Sequence, residues 1–103
     1  MGMQALMLAP DDADAFSKRS LCYARSGYPY FALSDATACK LLNPRWPEAY
    51  LRIGIAFTLL KDFDVAEEAF SDGLKLDPEN KQLQMALELS SSSLHILPSL
   101  KLS

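Results

Sequence analysis

The 103-residue chain carries 10 Lys and Arg against 13 Asp and Glu, a formal net charge of −3, with half its residues hydrophobic and 22% charged. This is a globular rather than a disordered composition, long enough for one domain around one core. It excludes a nucleic-acid binder, because phosphate neutralisation needs clustered Lys and Arg, and a membrane protein, because the longest apolar stretch, Ile53 to Leu60, falls far short of the ~20 residues a span requires.

The N-terminal segment, MGMQALMLAP, runs straight into Asp11 and Asp12 and lacks the basic start and long apolar run of a secretory signal. Cys22 and Cys39, 17 residues apart, form neither a CxxC metal pair nor a disulfide framework. A reduced, soluble chain of the cytoplasm or nucleus is expected.

Pro10 opens a period. Pro44 and Pro78 follow at intervals of 34 residues, and Leu8, Leu42 and Leu76 precede the three prolines by two. Ala15 pairs with Ala49, Phe16 with Tyr50, Ser20 with Gly54, Tyr23 with Phe57 and Ala32 with Ala66 at the same offset. A fixed period of this length marks a stacked-repeat architecture. In chain order, residues 1–12 match the end of a second helix whose partner helix is missing. Helices are predicted at 13–26, 29–42, 47–60 and 63–76, making repeats over 13–46 and 47–80. A capping helix follows at 80–93, the cap domain being 81–93, and then a flexible tail at 94–103. Gly27 and Lys61-Asp62 mark turns within the pairs, Asn43-Pro44 and Asp77-Pro78 turns between them. Pro29 and Pro47 fall in first helical turns, where a missing N–H costs little. Small residues at Ser20, Ala32, Gly54, Ala66 and Gly73 are expected to let paired helices approach closely.

The order of aromatic, small residue, second aromatic, alanine, apolar residue and closing proline is Phe16, Ser20, Tyr23, Ala32, Ala36, Pro44, then Tyr50, Gly54, Phe57, Ala66, Phe70, Pro78. At a 34-residue period this is the tetratricopeptide (TPR) pattern. The fold class is therefore all-α: antiparallel helix-turn-helix repeats stacked as a short right-handed superhelix with a C-terminal capping helix. The segment from Ala15 to Leu76 resembles TPRs of the co-chaperone type. RSLCYARSG, DATACKLLNPRWPEAYLRIG and LLKDFDVAEEAFSDGLKLDP look most like the repeats that follow ankyrin repeats in plant ankyrin–TPR proteins.

The resemblance implies protein or peptide binding on the concave face formed by the first helix of each repeat. In co-chaperones a clamp of Lys, Asn and Arg holds a C-terminal carboxylate and acidic side chains, as charge-assisted hydrogen bonding favours. Carried over, the middle asparagine falls on Lys18 and the next lysine on Glu48, both departures, while the arginine falls on Arg52. The remaining lysine and asparagine belong to the missing helix, so a standard clamp is not expected. Lys18 and Arg52 are equivalent positions, as are Leu21 and Ile55, and Arg25 lies further along the face of Lys18. A mixed groove of Lys18, Leu21, Arg25, Glu48, Arg52 and Ile55, with Asp14 beside it, is the candidate site. It suits a protein or peptide with an acidic group or a free C-terminal carboxylate.

A second reading stands beside it. The incomplete first repeat leaves Met3, Leu6 and Met7 uncovered, an edge on which a neighbouring domain or a second copy could stack. The chain is then either a fragment of a longer protein or self-associating.

The remaining residues point to structure. Cys22 and Cys39 are expected to face inward as small apolar groups. Trp46 is expected to staple the following helix, Asp62 and Asp64 to cap one, and Glu67 and Glu68 to be exposed helix charges. His95 has no ligand-type neighbour. With one histidine and no phosphate loop or nucleophile triad, neither an enzyme, a metal nor a cofactor is expected.

Overall fold

The computed structural model describes residues 11–90, of which four helices are complete: α1 (Ala13–Arg25), α2 (Pro29–Leu42), α3 (Pro47–Leu59) and α4 (Phe63–Leu76). Residues 81–90 form a further helix, α5, up to the edge of the described region. Predicted and observed bounds agree within a residue for the four pairing helices. The predicted edge Met3, Leu6 and Met7, most of the remnant over 1–12, and the tail with His95 lie outside the described residues.

Local chemistry sets the helix ends. Asp12 caps α1 by accepting from the Ala15 amide at 3.0 Å. Pro29 and Pro47 stand at the start of α2 and α3. Gly27 takes φ +84 in the first intra-repeat turn, and Lys61, 34 residues on, adopts φ 66 in the second. Two expected roles are corrected. Asp62 occupies the N-cap of α4, but its side chain makes no capping bond. Trp46 is the N-cap of α3, one residue later than a staple requires, and is half-buried there.

Within each repeat the helices pair, α1 on α2 and α3 on α4; α2 packs on α3 and α1 touches α3 across the groove. Small side chains permit this. Ala32, Ala36, Ala49, Ala56 and Ala66 have no exposed surface. Gly54 lies against the Phe70 ring, so close that a methyl group would overlap it. Leu51, Ala66, Phe70 and Leu83 form the core, with Ile55, Phe57, Leu74, Ala86 and Leu87 packed around it. Leu83 brings α5 onto this core, so α5 closes the second repeat.

The cysteines divide. Cys39 is fully buried, and burial pushes its thiol up to about 11. Cys22 is exposed, contrary to expectation. Its equivalent in the second repeat, Ala56, is fully buried. The preceding helix pair covers that position in the second repeat, whereas Cys22 lies at the end of the described stack.

Candidate peptide-binding groove

The inner surface is built from α1 and α3. Arg52, 12% exposed, does not project into open space. Its Nε donates to the Ser17 carbonyl at 3.2 Å and to Ser17 Oγ at 3.0 Å, and a terminal nitrogen meets Glu48 Oε2 at 3.2 Å. Ser17 Oγ donates to the same Glu48 oxygen at 2.5 Å. Glu48, expected to repel an acidic ligand, is thus the counterion of Arg52, and the two tie α3 to α1 through Ser17. Two of the five N–H donors at the one matching clamp position are thus engaged inside the protein.

Of the candidate groove cations, Lys18 and Arg25 are exposed. Lys18 is exposed and pairs with Asp14 at 3.0 Å, one turn earlier. Its ammonium is held charged chiefly by that hydrogen bond, helped by the charges of Asp14, Asp12 and Glu48. An exposed i,i+4 pair of this kind contributes little net energy, so Lys18 can exchange Asp14 for another carboxylate at small cost. Arg25 is exposed at the C-terminal end of α1 and has no ion-pair partner among the described residues. Leu21 and Ile55 are half-buried, each presenting part of its side chain.

A second polar cluster escaped the sequence reading. Arg19 Nε reaches Asp35 Oδ2 at 2.6 Å and a terminal nitrogen reaches Oδ1 at 2.8 Å, a bidentate pair joining α1 to α2. Asp35 is 5% exposed at its side chain. The Arg19 guanidinium also lies 5.6 Å from the Phe16 ring centroid and 5.7 Å from that of Tyr23. Bonding to Asp35 raises its already high pKa. The signal was in the alignment of the repeats: Ser17, Arg19 and Asp35 fall where the second repeat has Leu51, Ile53 and Ala69. Polar residues at positions that are apolar one period later mark an internal network. Among the described residues no cluster of His, Cys, Asp or Glu could hold a metal ion, and no helix is long and apolar enough to cross a membrane.

No family model matches the chain. Over 84 residues it is 38% identical to Tetratricopeptide repeat protein 28 of Mus musculus, a match covering 82% of this chain and 3% of that protein. Over 79 residues it is 38% identical to Hsp70-Hsp90 organizing protein 3 of Arabidopsis thaliana, covering 77% of this chain and 14% of that one. The chain therefore spans a small part of these relatives. The Sgt2 TPR domain of Aspergillus fumigatus superposes with a TM-score of 0.82 at 25% identity, over 94% of this chain and 66% of that one. The described helices form a TPR domain. A further solved structure, the second TPR domain of human RPAP3 in complex with the HSP70 peptide SGPTIEEVD, superposes with a TM-score of 0.72 at 29% identity, over 77% of this chain and 66% of that one. The TPR stacking of these structures accounts for the concave face on which α1 and α3 lie side by side.

Proposed function

We propose that this TPR domain is a non-catalytic protein-interaction module whose groove binds an extended protein segment bearing a carboxylate, with Lys18 and Arg25 as ionic contacts and Leu21 and Ile55 as apolar ones. The observation that carries this is the pairing pattern of the groove: Arg52 and Glu48 neutralise one another, leaving Lys18 and Arg25 as the cations able to meet a ligand. The likeness to a domain complexed with an acidic HSP70 peptide supports the ligand class. Arg52 and Glu48 then hold α1 and α3 in register rather than grip the ligand first. The clamp is altered from the co-chaperone form, and no cofactor takes part. Phrases such as RSLC, NPRWPEA and DGLKLDP support placing the chain with the plant ankyrin–TPR proteins, and a cytoplasmic site of action accords with the relatives named as chaperone organisers.

The test is an amide-NMR titration with an acidic peptide ending in a free carboxylate, beside its amidated counterpart and the Lys18→Ala and Arg25→Ala variants. Shifts concentrated on α1 and α3, weakened by amidation and by either variant, are the expected result. Absence of shifts at millimolar peptide refutes the reading.

A further inference from the structure

The outer face of α2 departs from that of its counterpart α4. Tyr30, Ser34, Thr37 and Leu41 follow one another at intervals of four, three and four residues, the spacing of a helix-pairing seam. All four are exposed, Tyr30 at 74% and Leu41 at 76%. They lie on the side of α2 turned away from Ala32, Ala36 and Cys39, which are fully buried. One period later the same positions on α4 hold Asp64, Glu68, Ser71 and Lys75. The second repeat thus has the charged outer face of a helix in water, whereas the seam on α2 carries no charge and ends in two large apolar side chains. Phe31 beside Tyr30 and Leu42 beside Leu41, 58% and 41% exposed, widen each end.

The order of sizes along the seam, large, small, small, large, reads the same in both directions. Turned end for end, a second α2 sets Leu41 on Tyr30 at both ends of the contact and Ser34 on Thr37 in the middle. There the small side chains let the two axes approach to about 8 Å, and the two hydroxyls can bond each other. A twofold contact of this kind uses the same patch on both copies, which is what a seam of palindromic size provides. Of the two charged residues of α2, Asp35 is bonded to Arg19 and Lys40 lies 5.3 Å from the Tyr50 ring centroid, so neither stands on the seam.

We infer that the outer face of α2 is a self-association surface on which a second copy of this chain lays its own α2 antiparallel, Tyr30 against Leu41. The surface is independent of the groove. Because α1 lies between the seam and the groove, the two copies meet back to back and both grooves stay open. Tyr30, Phe31, Leu41 and Leu42 of the two copies together can bury about 1,000 Å². That is the lower limit of a specific contact, so the dimer is a weak one, with a Kd on the order of 100 µM.

Sedimentation velocity of the whole chain from about 10 µM to about 1 mM tests it, and the average mass should rise from one chain toward two across that range. Tyr30→Glu alone and Leu41→Lys alone each set a charge against an apolar side chain and should weaken association at least about tenfold. Circular dichroism should stay native, since the second repeat carries Asp64 and Lys75 at these positions. Tyr30→Glu with Leu41→Lys in one chain should recover the dimer in a salt-sensitive form. The antiparallel register sets each carboxylate against the other copy's ammonium, whereas within one chain the two positions are about 16 Å apart. Lys18→Ala and Arg25→Ala should leave the dimer unchanged. A monomer at every concentration overturns the proposal and leaves the seam to a partner of another kind. A dimer indifferent to both single substitutions also overturns it, because the contact then lies elsewhere. So does a double variant no more associated than the single ones, which removes the antiparallel register.

Discussion

Gly54→Ala separates two opposing effects. In a helix interior this substitution is ordinarily favourable by about 1 kcal/mol, because alanine has less backbone freedom to lose. Here the new Cβ would lie 2.5 Å from Cδ1 and 2.6 Å from Cζ of Phe70, well inside van der Waals contact. The ring cannot swing away freely: Phe70 is 2% exposed and belongs to the core with Leu51 and Leu83. Inserting a methyl group into a closed core costs about 1–3 kcal/mol, and a boxed ring places this site toward the upper end. The net expectation is a loss of about 1–2 kcal/mol, or a thermal midpoint lower by about 5–15 °C for a domain of this size. Urea and thermal unfolding followed by circular dichroism measure it. The first repeat explains how the same architecture avoids the problem: Ser20 stands for Gly54 and Ala36 for Phe70, a larger residue matched by a smaller one. Gly54→Ser combined with Phe70→Ala should accordingly lose less stability than the two single changes added together. An unchanged or raised midpoint in Gly54→Ala, or strict additivity in the pair, would refute the close approach of α3 and α4 at this point.

Lys61 holds a left-handed conformation that its counterpart Gly27 adopts without strain. Lys61→Gly should therefore be neutral to stabilising by up to about 1 kcal/mol, the relief of strain exceeding the added freedom of the unfolded glycine, and a lowered urea midpoint would contradict this. Titration with a chromogenic disulfide should find one fast thiol, Cys22, with Cys39 reacting after unfolding. Because the folded state raises the Cys39 thiol from 9.0 to about 11, its contribution to stability is complete below pH 9 and declines as pH rises through that interval; Cys39→Ala should flatten that part of the stability profile. Asp35→Ala leaves the partly exposed Arg19 without its closest counterion and should cost about 1–3 kcal/mol, whereas Arg19→Ile with Asp35→Ala, the residues of the second repeat, should recover most of the loss. Chemical denaturation of the three variants decides it, and equal losses in single and double variants would show that the pair is not coupled. Arg52→Ala should lower stability by about 1–3 kcal/mol because Ser17 and Glu48 lose their partner, so its effect on binding has meaning only beside a measured unfolding curve.

The fold was legible because repetition turns weak local signals into one strong one. A single proline says little, but Pro44 and Pro78 with matched aromatics and small residues at a constant offset imply helices of fixed length, and four helix ends follow within a residue. The groove was legible only as a set of positions. Lys18 and Arg52 are equivalent by sequence, yet one is solvated and the other is bonded to Ser17 and Glu48, because that outcome depends on which partner the adjacent helix presents. Pattern matching to a family carries over the residue and not its partner, so Arg52 read as a ligand contact and Glu48 as a repulsive intruder. Comparing the repeats with each other carries more: where Leu51, Ile53 and Ala69 become Ser17, Arg19 and Asp35, an internal polar network has replaced apolar packing. Such a replacement tends to cost stability compared with apolar packing, so its counterpart gain is geometric. The Ser17–Arg52–Glu48 bonds fix how α1 sits beside α3, so the spacing of the two helices is set by a polar network that the second repeat, with Leu51 in place of Ser17, does not repeat.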